Sequence, residues 1–142
     1  MKIFIDDSAW VQLLDPNALH HQAVTDAFSR ALQDDDKLFT HNIAIGIALS
    51  EIKRDLGFTV AWKFNEIIEE AYTGTHLTIL WIGRRNQKEA MRLMRKHAEL
   101  PLGLYDFASY ILMKRRRINT ILSLRSGYNQ LELKVLPEIN GG

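Results

Sequence analysis

The chain contains no cysteine among its 142 residues. That excludes disulfides, thiolate metal sites and cysteine nucleophiles, and it suits a reducing cytoplasm. Net charge is also nearly absent, at +1. No global field therefore draws the chain to nucleic acid, and any basic surface must be local. No apolar run approaches the roughly 20 residues of a membrane span. A carboxylate at position 6, in Met1-Lys2-Ile3-Phe4-Ile5-Asp6, comes too early for a secretory signal. No glycine-rich phosphate loop occurs, so nucleotide hydrolysis has no support. Repeats, low-complexity segments and linkers are lacking as well.

What remains is an ordinary globular composition, 46% hydrophobic and 25% charged, long enough for one domain over residues 1–142 with a sizeable core. Short apolar runs predict strands at Lys2–Ile5, Lys37–Thr40, Leu77–Ile82, Asn119–Leu124 and Leu133–Leu136. Between them, apolar residues at three-and-four spacing predict helices. These are Ala9–Leu14 (capped by Ser8 or Asp7), His20–Leu32, Asn42–Leu56, Phe58–Tyr72, Asn86–Ala98 and Leu104–Arg117. Gly57 stops the third, and Pro101 bars continuation of the fifth. The last residues, Ile139 to Gly142, are expected to fray. Strands alternating with helices predict a three-layer α/β/α sandwich around a parallel sheet. In such folds the working site lies past the carboxyl ends of the strands. The residues to inspect are then Asp6-Asp7-Ser8, Thr40-His41-Asn42, Gly83-Arg84-Arg85 and Arg125.

Taken singly, Asp6 and Asp106 have a plain reading as helix caps, since a carboxylate there satisfies free N–H groups and the helix dipole. Their surroundings add more. Phe4-Ile5-Asp6-Asp7-Ser8-Ala9-Trp10 resembles the opening of the PIN domain family, in particular its VapC-type toxin ribonucleases. Thr40-His41-Asn42 resembles that family's Thr-Asn segment, and Leu104-Tyr105-Asp106-Phe107-Ala108-Ser109 its late acidic helix. Ile121-Leu122-Ser123-Leu124, then Tyr128, then Val135-Leu136-Pro137 resemble its closing strand, aromatic turn and last strand. The order is collinear over nearly the whole chain. The resemblance implies a PIN-like sandwich whose clustered carboxylates bind Mg²⁺ or Mn²⁺ and cut RNA. It also implies an antitoxin-like partner and a homodimer.

Carried over by position, the family pattern is incomplete here. Asp6 and Asp106 match the first and third acids. The second falls on Ile47 and the fourth on Arg125, while Gly103 stands where a small polar residue is usual. Mg²⁺ needs several oxygen ligands in octahedral geometry. A guanidinium ~5 Å from a divalent ion, at an effective dielectric of ~20, repels it by about 7 kcal/mol before relaxation. The planar guanidinium is instead expected to pair with Asp6 or Asp106. Ser8, Asn42 and Glu51 are possible supports. Glu51, one turn beyond Ile47, either reaches inward to the site or, as the favoured expectation, pairs with Arg54 or Arg125. Asp7 is expected to point away.

Arg84, Arg85 and Lys88 open a basic stripe continued by Arg92, Arg95 and Lys96. It reads either as an RNA phosphate-contacting surface or, as the plainer choice, as a solvated face. His41 is expected near the site mouth, without the partners that zinc requires. Trp10, Trp62 and Trp81 fall in apolar patterns and are expected in packing. Two functions follow. The first is a PIN-like protein with a degraded metal site, catalytically weak or silent, that needs no cofactor and binds RNA or protein. The second is an active Mg²⁺- or Mn²⁺-dependent ribonuclease working with Asp6, Asp106 and an unconventional third group.

Overall fold

The computed structural model describes residues 1–139. Five strands and six helices alternate: β1 (Lys2–Ile5), α1 (Asp7–Leu14), α2 (His21–Gln33), β2 (Lys37–His41), α3 (Asn42–Leu56), α4 (Phe58–Thr73), β3 (Leu77–Leu80), α5 (Arg84–Lys96), α6 (Leu104–Arg115), β4 (Thr120–Leu122) and β5 (Lys134–Leu136). The strand order is β3-β2-β1-β4-β5, and every pairing is parallel. The N-terminal strand therefore lies at the centre of the sheet.

Side-chain alternation divides the core in two. Phe4, Phe39, Leu80 and Ile121 face α5 and α6, joining Ala90, Phe107, Leu112 and Met113. Ile3, Ile5, Leu38 and Leu122 face the other way, onto Trp10, Val24, Ala48, Ile52 and Phe64 from α1 to α4. Burying both sheet faces is what parallel strands require, and the near-continuous apolar run of β1 reflects it. Trp10 also carries a polar pin. Its indole N–H donates to Thr40 Oγ1 at 3.1 Å, and Thr40 donates to Ile5 O at 2.7 Å. That chain of bonds locks α1 and β2 against the end of β1, where Asp6 follows.

Element bounds differ from the sequence expectation mainly at ends. The strand expected to run to Ile82 stops at Leu80, and α5 starts at Arg84 rather than Asn86. The cause is Asn42. Its side chain accepts from Ile82 N at 2.6 Å and donates to Ile82 O at 3.4 Å, in place of a ladder partner. Trp81 is thereby released from the sheet and is 72% exposed, and Trp62 is 54% exposed. The expectation that both pack in the core is corrected; only Trp10 does. The turn around Tyr128 is a short 3₁₀ helix, Tyr128–Leu131, entered through Gly127 at φ +112°. Of the residues expected to fray, Ile139 is exposed outside any strand or helix, and 140–142 lie outside the described residues. Among the described residues no helix is long and apolar enough to cross a membrane.

Candidate functional site

The parallel register aligns the carboxyl ends of β1 and β4, because Ile5 pairs with Leu122. Asp6 and Ser123 therefore emerge side by side. Asp6 turns the chain out of β1 and is itself the N-cap of α1, accepting from Ala9 N at 3.1 Å. This corrects the expectation that Ser8 or Asp7 caps the helix. Ser8 Oγ donates to Asp6 Oδ1 at 2.6 Å and accepts from Leu124 N at 2.9 Å. Ser123 Oγ donates to Asp6 Oδ2 and accepts from Arg125 N at 3.1 Å.

Arg125 occupies the middle of this arrangement. Nη1 donates to Asp6 Oδ2 at 3.1 Å and to Asp7 Oδ1 at 2.8 Å, and Nη2 donates to Asp7 Oδ2 at 2.7 Å. Nε stands 3.5 Å from Asp106 Oδ1. The bidentate fork is thus on Asp7, which the sequence reading turned away from the site. Once Asp6 is the cap, Asp7 begins the first helical turn and meets the segment after β4. The adjacent pair of acids at positions 6 and 7 was the available signal.

Asp106 is fixed from two further sides. Gly103 N donates to Oδ2 at 2.8 Å, and the Tyr128 hydroxyl donates to Oδ1 at 3.0 Å. Burial, with the charges of Asp6 and Asp106, pushes the Tyr128 phenol well above its ordinary range, so it stays a neutral donor. Ser123 and Tyr128 were missed as site residues, although both lie within four residues of Arg125.

Burial dominates the electrostatics of Asp6. Desolvation and the neighbouring Asp7 charge raise its carboxyl to about 6, against the opposing pull of Arg125, Ser123 and Ser8. Its hydrogen bonds nonetheless come from donors that favour the ionised form, so near pH 7 the carboxylate is the main species. Arg125 is driven further up from an already high value, chiefly by its bond to Asp7, and is always a cation.

The other expected residues lie apart from this cluster. Asn42 holds Ile82, as described. Ile47 and Glu51 line an open hollow of about 640 Å³ with Tyr105, and Glu51 makes no ion pair among the described residues. Arg54 pairs with Asp55 instead, correcting the expected Glu51 partners. His41 is buried rather than at the mouth. Its Nδ1 accepts from Ala44 N at 2.9 Å, capping α3, so Nε2 carries the hydrogen and donates to Ser109 Oγ at 2.7 Å. Ser109 in turn donates to Tyr105 O at 2.9 Å. With its own proton committed and no base accepting it, Ser109 is a tie between elements and not a nucleophile. Burial lowers His41 to about 4, so it is neutral. Arg84, Arg85 and Lys88 are exposed at the start of α5. A hollow of about 740 Å³, lined by Lys2, Asp36, His76 and Arg116, opens at the amino ends of the strands, away from the acids.

This fold is the PIN-domain, VapC-like fold. The VapC20 toxin of Mycobacterium tuberculosis, described as cleaving the sarcin-ricin loop, superposes with a TM-score of 0.77 at 17% identity, over 92% of this chain and 95% of that one. VapBC2 of Rickettsia felis, in a structure bound to a DNA fragment from its promoter, matches with a TM-score of 0.67 at 9% identity, over 95% and 97%. No protein-family model and no curated protein matches the sequence.

VapC-like ribonucleases imply a divalent metal, and the residues present do not fit one. The carboxylate oxygens of Asp6, Asp7 and Asp106 are each engaged by protein donors or by Arg125. Among the described residues no three His, Cys, Asp or Glu groups are placed to hold a metal ion.

Proposed function

We propose that this chain is an RNA-directed protein of VapC-like fold with a degraded metal site, acting by binding RNA or a protein partner rather than by cutting RNA. The single observation that carries this reading is the Arg125 guanidinium, bonded to Asp6 and Asp7 and 3.5 Å from Asp106. Those three acids would have to release it before a divalent ion could coordinate them. Its fork on Asp7 is the strong, bidentate kind. A monovalent cation fixed to the chain offers neither exchangeable water nor an open ligand position, and both are needed to generate a nucleophile. What the arginine supplies instead is charge balance that holds three carboxylates together without any added ion.

A second reading is favoured by the fold comparisons. One neighbour is described as a toxin that cleaves the sarcin-ricin loop, and the other as VapBC2 bound to a DNA fragment from its promoter. On that reading the chain is a Mg²⁺- or Mn²⁺-dependent ribonuclease, it pairs with an antitoxin-like protein, and Arg125 swings out when substrate and metal arrive. One experiment separates the two. Structured RNA is incubated with the wild type, Asp6→Asn and Arg125→Ala, with Mg²⁺, Mn²⁺ or EDTA. The first reading expects RNA retention on a filter and no metal-dependent cleavage by the wild type. Cleavage by the wild type that EDTA and Asp6→Asn both abolish would overturn it in favour of the second.

A further inference from the structure

Among the described residues Trp81 makes no side-chain hydrogen bond and no contact with another aromatic ring. It is 72% exposed, although it directly follows a strand whose neighbouring residues, Leu80 and Ile82, are 6% and 3% exposed. The backbone beneath it is rigid, because Asn42 brackets Ile82 through both its N–H and its carbonyl. The indole lies beside Gly83, where an added Cβ would stand 3.9 Å from Trp81 Cδ1. It is therefore an exposed aromatic side chain on an anchored backbone at the entrance to α5.

The surface next to it is strongly cationic. Residues 83–118 hold ten of the chain's 18 Lys and Arg but three of its 17 Asp and Glu, a formal +7 against −6 for the remainder. All ten cations are exposed. Glu89 engages Arg115 and lies 3.8 Å from Arg85; the other eight make no ion pair among the described residues. Arg84 and Arg85 follow Trp81 by three and four residues.

We infer that Trp81, Arg84 and Arg85 form a docking point for single-stranded RNA, in which the indole stacks on one unpaired base and the two guanidinium groups hold the flanking phosphates. The inference deepens the RNA reading proposed above and rests on it. Charge selects a polyanion. The aromatic plate selects one with unpaired bases, because the bases of a duplex are hidden in the stack. An anionic lipid surface fits less well: the polar face of α5 exposes one large apolar side chain, Met91, and membrane-surface helices need a continuous apolar face. The placement also suits a strand that runs on to the acids. Phe4 pairs with Phe39 and His41 with Leu80, so Asp6 and Trp81 leave the same edge of the sheet at nearly the same level. Two strand spacings separate them, about 10 Å.

The test is fluorescence anisotropy of a labelled 12-nucleotide mixed-sequence RNA, titrated with the full chain in EDTA so that no cleavage can intervene. Trp81→Ala is expected to weaken binding about 5- to 100-fold with an unchanged salt slope, and Trp81→Phe to restore most of it. Arg84→Ala with Arg85→Ala is expected to flatten the salt dependence by about 1.4 in slope. A circular-dichroism melt confirms that the variants fold. Wild-type affinity in Trp81→Ala would sink the docking point while leaving the RNA reading intact. No RNA binding by the wild type would sink both. Equal affinity for DNA of the same sequence, or for vesicles with anionic headgroups, would overturn the assignment to RNA.

Discussion

Arginine appears in this molecule under two opposite conditions. At the strand ends, Arg125 meets three carboxylates, and its side chain is only a third exposed. Along α5 and the end of α6, cations stand in solvent with almost no acids beside them. The first group spends its hydrogen bonds inside the chain. The second keeps them for something outside. The same residue type thus makes structure in one region and an unsatisfied surface in the other, and what decides between them is the number of acids within reach.

Breaking the inner arrangement should have the largest effect. Arg125→Ala leaves buried Asp6 and Asp7 without their cation, and removing one partner of a buried pair costs about 3–5 kcal/mol. Urea denaturation at pH 7 reads this directly. Mg²⁺ should then stabilise the variant but not the wild type, because the acids are released only in the variant. A variant indifferent to both changes would show that the acids do not depend on the guanidinium.

Next in size is a pH effect with two opposing parts. Asp6 is raised to about 6, so the folded state holds its proton more tightly than the unfolded one. Its contribution is fully present below the unfolded value, near 3.8, and is lost as pH rises through about 6. His41 is lowered to about 4, so its contribution is present above about 6.5 and is lost as pH falls through 4. Between pH 4 and 6 the two slopes oppose each other in the wild type. Asp6→Asn should uncover the histidine: stability should then climb by about 3 kcal/mol from pH 4 to pH 6.5. A flat profile in that variant would mean that His41 is not held neutral by burial.

Smaller again is Tyr128→Phe, which leaves one Asp106 oxygen without its donor. A hydrogen bond to a charged group is worth about 2 kcal/mol, measured by the same denaturation. At the bottom stand the surface cations. Arg84→Ala and Lys88→Ala should each change stability by less than about 0.5 kcal/mol. A large loss there would place these side chains in structure and erase the contrast between the two regions.

The alternation of apolar runs and amphipathic helices made the sandwich legible, because both patterns are set by which faces are buried. Asp6, Asp106 and Arg125 were legible as strand-end and helix-start residues with a meaningful sequence context. Asp7 was not, since its direction depends on Asp6 acting as the cap, a choice between neighbours that spacing cannot make. Trp81 was not, because a distant side chain, Asn42, replaces the ladder at Ile82 and ends β3 early. His41 was misplaced for a related reason. It does end β2 at the site edge, but its ring turns inward to cap α3 and meet Ser109. In each case a hydrogen bond from outside the local segment overrode the local pattern.

The central position of β1 has a consequence for synthesis. β1 is made well before one of its two neighbours, β4, and Asp6 and Arg125 are 119 residues apart. Until residue 125 is available, Asp6 and Asp7 have no internal cation, and β1 has one open edge. The acid cluster is therefore closed by the same event that covers the second edge of β1, and a bonded Arg125 marks a chain in which β1 and β4 have met.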